Sequence, residues 1–267
     1  MSQKNSAVSK RAIILFTNHP STDAARKKFW FNLQKSISIF CLIMNEICNK
    51  ILQASHQLKF ELIISSNVDP ANFAFFTSLV NRYFHHVATH FVRQSGRDFG
   101  ERLTHTIRLC FENGYEKVLV IGNDSIDLDS QNIFKTFQEL DTNDIVLGPS
   151  LDCGVYLIGL SKFDERLFQN VQWYSAKVFA QIQSNAIELG NKTCILRDTL
   201  PDFDDQKMFL QWFLSKLKST SPLIRVFKHL LVHLLHKKIE TYCTSYRPHL
   251  PQVIWQKSPP SYFLIYS

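Results

Sequence analysis

An α/β fold, a mostly parallel twisted sheet with helices on both faces, is predicted by three observations. Short apolar runs, among them Ala12–Thr17, Lys59–Ser65 and Lys117–Ile121, alternate with segments whose apolar residues recur every three to four positions. The runs do not alternate apolar with polar, as expected of strands buried between two helical layers. The 267 residues, 45% hydrophobic and 20% charged, suffice for one such domain without a metal or disulfide to hold it.

Ala12–Thr17 reads as the first buried strand, and Asn18–Asp23 as turn chemistry. From Ala24 to about Gln57 no Pro or Gly interrupts, and Phe29, Leu33, Ile37, Phe40 and Met44 keep helical spacing. Lys59–Ser65 is a second strand, Asn67–Pro70 a turn, 71–84 a helix and His86–Val92 a strand. Asp98–Asn113 is an amphipathic helix through Phe99, Leu103, Ile107 and Phe111, closed by Gly114. Lys117–Ile121 is the cleanest buried strand. A helix over 130–140, strands at Asp144–Leu147 and Gly154–Leu160, a helix over 175–189 and a strand over 192–196 follow. The acidic loop Asp202-Phe203-Asp204-Asp205 leads into a helix reaching about Leu217. Ser219–Pro222 is the only plausible linker, which predicts a domain over 1–218 and a basic C-terminal helix and extended tail over 219–267.

Charge is unevenly placed. The chain has 30 Lys and Arg against 23 Asp and Glu, a net +7. From Lys216 onward the basic residues are Lys216, Lys218, Arg225, Lys228, Lys237, Lys238, Arg247 and Lys257, against Glu240 alone. The tail therefore carries the whole excess, the main body is neutral, and nucleic-acid binding by the body is not expected. The 6 cysteines form no CxxC pair and most sit in apolar contexts, as free thiols in a reducing compartment do. The N-terminus lacks a signal-peptide core, and no stretch is read as long and apolar enough to span a membrane, so a soluble cytoplasmic protein is expected.

In open α/β sheets ligands bind beyond the carboxyl ends of the strands. That rule selects Asn18–Asp23, Gly122–Leu128, Gly148–Gly154 and the 202–205 loop. Two of these carry carboxylate clusters, Asp124 with Asp127 and Asp202 with Asp204 and Asp205. Hard oxygen ligands of this kind suit Mg²⁺ or Mn²⁺ shared with substrate phosphates.

Four motifs occur in order: Gln94-Ser-Gly-Arg-Asp-Phe-Gly-Glu-Arg-Leu103, Val120-Ile-Gly-Asn-Asp-Ser-Ile-Asp-Leu128, Leu147-Gly-Pro-Ser-Leu-Asp-Cys-Gly-Val-Tyr-Leu-Ile-Gly159 and Asp202-Phe-Asp-Asp205. Over roughly residues 11–215 they resemble the DUF2064 family of proposed glycosyltransferases. That family is similar to the GT-A nucleotide-diphospho-sugar transferases and to the molybdopterin-cofactor and phospholactate guanylyltransferases. The resemblance implies a GT-A-like, Rossmann-like sheet and a divalent cation, Mg²⁺ or Mn²⁺, on Asp124, Asp202 and Asp204. It also implies a nucleotide-activated small-molecule donor near Thr17, Asn18, Gln94, Asp98, Gly100 and Arg102. Asp152, Gly154 and Tyr156 are implied on the acceptor side, with Asp152 as general base. The expected activity is glycosyl transfer to an acceptor that the sequence does not name. Nucleotidyl transfer of the guanylyltransferase type, or a catalytically silent scaffold, are the alternatives.

The chain departs from the family at several positions. Where relatives carry Pro-x-Pro-Gly and then Lys-Thr-Arg, it has Pro20-Ser-Thr-Asp-Ala-Ala-Arg-Lys-Lys28. Asp23 replaces the glycine and is expected to repel a phosphate. Arg26, Lys27 and Lys28 read as a solvated helix face. Ile126 replaces a Pro, Cys153 a Gly, Val155 a Tyr and Asp205 a Thr. His85, His86 and His90, with His229, His233 and His236, carry no HExxH arrangement and read as surface histidines. No G-x-S-x-G elbow, P-loop or G-x-G-x-x-G is present, so hydrolase, P-loop kinase and dinucleotide oxidoreductase readings have no motif behind them. The tail helix groups Leu223, Phe227, Leu230, Leu231, Leu234 and Leu235 beside basic residues. That pattern suits docking on the domain or on a second subunit, or peripheral contact with an anionic membrane and a lipid-linked acceptor.

Overall fold

Strand β1 (Arg11–Thr17) and strand β4 (Lys117–Ile121) lie side by side at the centre, and Ala12–Phe16 and the whole of β4 are buried. Strands covered on both faces need apolar side chains at every position, which is why neither run alternates. The computed structural model describes residues 9–27, 33–68, 74–201, 206–219 and 224–229. Close contacts group the chain into two units, Met1–Ser219 and Thr220–Ser267, and in the second only 224–229, a helical stretch, is described. The remainder of the expected tail helix and the extended tail lie outside the described residues.

Among the described residues seven strands form one sheet in the order β3-β2-β1-β4-β6-β5-β7. β2 is Glu61–Ser66, β3 Thr89–Arg93, β5 Ile145–Pro149, β6 Val155–Leu160 and β7 Thr193–Ile195. All pairings are parallel except those of β6, which runs antiparallel to β4 and β5. The reason lies in the connection: Ser150–Gly154 is too short for the crossover that parallel neighbours require. Edge strand β3 exposes His90 and Arg93, which discourages further strand pairing.

The two sheet faces are covered by different helices. Ala12, Ile14, Val118, Val120, Ile158 and Leu160 form a core with Leu103 and Ile107 of α4 (Phe99–Glu112) and Val178 and Ile182 of α6 (Val178–Glu188). A 3-10 turn at Glu165–Phe168, not expected from the sequence, adds Leu167 and Phe168 to this core. On the other face α2 (Leu33–Ser55) packs against α1 (Pro20–Lys27), α3 (Ala74–Tyr83) and α5 (Ser130–Glu139). The last described helix of the first unit is α7 (Gln206–Ser215).

Two expectations are corrected here. The helical run expected from Ala24 to Gln57 already begins at Pro20, and its described parts are the helices Pro20–Lys27 and Leu33–Ser55. The fixed φ of Pro20 and its missing N–H suit a first helical position, and the amides of Thr22 and Asp23 donate to His19 O. Secondly, Ser36–Ser55 of α2, with mean hydropathy 1.3, is long and apolar enough to cross a membrane by length and composition. Its buried residues Ile39, Ile43, Ile47 and Ile51 recur every four positions, the spacing of a helix that packs one face on its neighbours.

Helix α4 keeps the caps expected of it. Asp98 is extended and its carboxylate accepts from Glu101 N at 2.8 Å, while Gly114 takes φ 78 beyond the C-cap. On the opposite face, a Cβ built on Gly159 of β6 would lie 2.6 Å from Thr136 Cγ2 and 3.3 Å from Leu140 and Val146. Gly159→Ala is therefore expected to destabilise the fold by about 1–3 kcal/mol in urea titration, the range for overpacking a filled core. A change near zero would show that α5 stands further from β6.

Candidate functional site

The order of strands reverses between β1 and β4, and there the chain leaves both strands at their carboxyl ends. A cavity of about 430 Å³ opens at this edge. Of the expected site residues, Thr17, Asn18, Gln94, Arg102, Asp124, Asp152, Gly154 and Tyr156 line it. Asp98 and Gly100 do not. They border a second hollow on the other side of the first turn of α4. Asp98 is the helix cap, and a Cβ on Gly100 would meet Trp173 Nε1 at 2.3 Å, so this glycine lets the Trp173 ring lie against α4. Asp202, Asp204 and Asp205 lie outside the described residues.

The loops are held by three polar side chains. Gln94, 8% exposed, donates its amide to Thr17 O at 3.2 Å and to Ser65 O at 3.0 Å, joining the ends of β1 and β2. Asp23, 1% exposed, accepts from Asn18 Nδ2 at 3.0 Å and from Asn123 Nδ2 at 2.6 Å, and lies 3.6 Å from Arg26. One carboxylate thus ties the loop after β1 to the loop after β4. Its charge is spent on these partners, which corrects the expectation that it faces and repels a phosphate. His19 adds an anchor. Its ring contacts Ser21 Oγ at 2.7 Å and packs edge-on against Phe75 and Phe76. Burial lowers its pKa, against the opposing pull of Asp23.

Of the basic residues of α1, Arg26 is exposed as expected of a solvated face, but Lys27 is not. Arg26 lines the cavity, and the Lys27 side chain is 3% exposed with its ammonium 3.3 Å from Asp124 Oδ2. Lys28 lies outside the described residues. Asp127, the other acid of this loop, pairs with Lys216 at 3.2 Å. Of the three carboxylates expected to hold a divalent ion, Asp124 alone is described, and it is already matched by an ammonium. Among the described residues no group of three or more His, Cys, Asp or Glu side chains could hold a metal. Asp124 offers a single carboxylate that an ammonium already shares, and no step below passes through a divalent ion. His90 meets Glu61 at 2.9 Å and His86 meets Ser55 Oγ at 3.2 Å.

Across the cavity, the turn after β5 presents Asp152. Ser150 Oγ and the Gly154 amide donate to its Oδ1, the latter at 3.0 Å, which fixes the carboxylate while leaving the residue exposed. Cys153 takes φ 67, the left-handed conformation that glycine adopts at no cost. Tyr156 is 2% exposed and its hydroxyl is buried with no hydrogen-bond partner. Burial first, and Asp198 second, push its pKa upward, so the phenol stays neutral and able to donate at ordinary pH. Arg102 Nε is likewise buried without a partner.

An aromatic wall that the motifs did not reveal completes the site. Phe99 stands 5.4 Å from Phe16, 4.8 Å from Trp173 and 5.6 Å from Tyr174, ring centre to ring centre. Tyr174 is 73% exposed and holds φ 64, an outlier for a bulky residue. The available signal was the Trp173-Tyr174 pair immediately before α6, a costly composition for a solvent loop.

The DUF2064 family model, described as "Uncharacterized protein conserved in bacteria", matches residues 51–175. Among solved structures, a proposed nucleotide-diphospho-sugar transferase from Desulfovibrio desulfuricans G20 aligns with TM-score 0.69 at 22% identity, over 83% of this chain and 95% of that one. A 4-diphosphocytidyl-2C-methyl-D-erythritol synthase aligns with TM-score 0.50 at 10% identity, over 78% of this chain and 99% of that one. No curated protein matches the chain.

Asp23→Ala removes a buried carboxylate that accepts two hydrogen bonds, and is expected to cost about 3 kcal/mol, lowering Tm by roughly 6–12 °C. A loss below about 0.5 kcal/mol would contradict the clasp. The resemblance carried by the sequence motifs is borne out: residues 51–175 match DUF2064, and the fold around them is shared with the nucleotide-diphospho-sugar transferase structure.

Proposed function

We propose that the cavity binds a nucleotide-activated sugar and that the protein transfers its glycosyl group to an acceptor hydroxyl. The observation that carries this reading is the convergence of Asn18, Arg26, Arg102, Asp124, Asp152 and Tyr156 on one cavity at the switch point of the sheet. The likeness to a structure named for nucleotide-diphospho-sugar transfer supports it. Asn18, Thr17 and Gln94 shape the floor at the end of β1. Arg26 and Arg102 supply positive charge for a diphosphate, Arg102 with a buried N–H to spare. Asp98 and Gly100 act indirectly, by setting the first turn of α4 and the Trp173 ring.

On the acceptor side, Asp152 is the general base. Its carboxylate takes the acceptor hydroxyl proton as that oxygen bonds to the anomeric carbon, and the bond from that carbon to the diphosphate breaks, releasing the nucleoside diphosphate. Tyr156 offers a neutral hydroxyl to substrate or product oxygen. The resemblance also implies Mg²⁺ or Mn²⁺ on Asp124, Asp202 and Asp204, but the ion pair at Asp124 favours a different source of positive charge, argued below. Free thiols at Cys41, Cys48, Cys110, Cys153 and Cys194 support a place in the reducing cytoplasm.

A thermal-shift screen of UDP, GDP, CDP and dTDP and their common sugar conjugates tests the reading. A ligand at about 100 times its Kd adds roughly 2.7 kcal/mol of stability, a shift of several degrees. Absence of a shift with every one of them at millimolar concentration would reject the donor site. Tyr156→Phe gives an independent check. It removes an unpartnered buried hydroxyl, so the free protein should gain about 1 kcal/mol while ligand stabilisation falls. Unchanged melting together with unchanged binding contradicts the role given to Tyr156.

A further inference from the structure

Lys27 and Asp124 form a pair whose members differ sharply in exposure, 3% for the lysine side chain and 27% for the aspartate. Asp124 lines the cavity and Lys27 does not, so the ammonium meets the cavity through the carboxylate. A buried ammonium is strongly disfavoured unless paired, so its position is held by its partners, Asp124 among them. Asp124 in turn is folded back onto the end of β4, where a Cβ on Gly122 would come within 2.7 Å of its Oδ1. The pair is therefore a packed feature of the site.

The pattern extends along this edge of the sheet. Asp127 is matched by Lys216 and Asp23 by Arg26, so three carboxylates near this edge, Asp23, Asp124 and Asp127, each face a side-chain cation. A divalent ion on Asp124 would share one carboxylate with an ammonium 3.3 Å from its Oδ2, and two cations on one carboxylate repel each other. Resting on the donor-site reading and deepening it, we propose that Lys27 is a tethered cation in the place of a divalent ion at Asp124, so that a nucleoside diphosphate binds this cavity without metal. Neutralising Asp124 removes the repulsion that a diphosphate would meet there. Arg26 and Arg102 are then the cationic side chains that line the cavity and can meet the ligand. A lysine suits the position as a compact point charge that needs no open coordination site.

Calorimetric titration of the full chain with UDP, GDP, CDP, dTDP and inorganic pyrophosphate, each in EDTA, in Mg²⁺ and in Mn²⁺, tests this. At least one nucleoside diphosphate is expected to bind with the same Kd, within about twofold, in all three buffers. Lys27→Met should weaken that binding by about tenfold or more, the size of a lost charge-assisted contact, and Lys27→Arg should recover most of it. Asp124→Asn separates the two accounts without emptying the lysine pocket. With a tethered cation it keeps binding in EDTA, whereas loss of a metal ligand abolishes binding. Binding by the unaltered chain only when Mg²⁺ or Mn²⁺ is present overturns the inference and leaves the donor site standing. No binding by any nucleotide in any buffer overturns both.

Discussion

The buried carboxylate of Asp23 is the constraint on which the site depends. Two strands that end side by side give two loops with no backbone ladder between them, and loops left to water would not hold a ligand cavity in one shape. Asp23 supplies the missing connection by accepting amides from Asn18 and Asn123, one from each loop. Gln94 does the same for the ends of β1 and β2 through two carbonyls. Both side chains are buried and paired, so each bond forms in a low-dielectric setting where losing a partner is costly. The cavity is thus defined by the sheet through a small set of polar clasps, and the strands themselves only deliver the loops.

This arrangement also explains how an acidic residue is tolerated beside the cavity. Asp23 turns inward, and the basic residues that follow it on α1 then fall at the cavity wall and behind Asp124. The helix brings Arg26 and Lys27 to different places because they are adjacent in sequence and so about 100° apart around the axis. One meets the cavity and the other meets a carboxylate. Opposite them, the aromatic wall of Phe99, Trp173 and Tyr174 leans on the first turn of α4, whose geometry Asp98 and Gly100 fix.

Much of the fold was legible in the chain. β4 fell on Lys117–Ile121 as read, and α4 was bounded by its cap Asp98 and by Gly114. Those elements announce themselves locally, through an uninterrupted apolar run and through cap chemistry. The reversal at β6 was less visible, because strand direction follows from connection length and not from composition. Asn18, Asp124 and Asp152, which the topological rule singled out at the ends of strands, line the cavity. What the sequence hid was pairing. Nothing local in Asp23, Lys27 or Arg26 shows that one turns inward, one is buried and one lines a cavity, since their partners lie as far off as residues 123 and 124.

The central claim is that this carboxyl edge is a donor site whose positive charge comes from its own side chains. A crystal structure of the full chain grown in EDTA with a nucleoside diphosphate at millimolar concentration tests it most directly. The account predicts the diphosphate within hydrogen-bond reach of Arg26 or Arg102, with the Lys27–Asp124 pair intact and no metal between them. A nucleotide bound elsewhere, or a cavity left empty under those conditions, would contradict it.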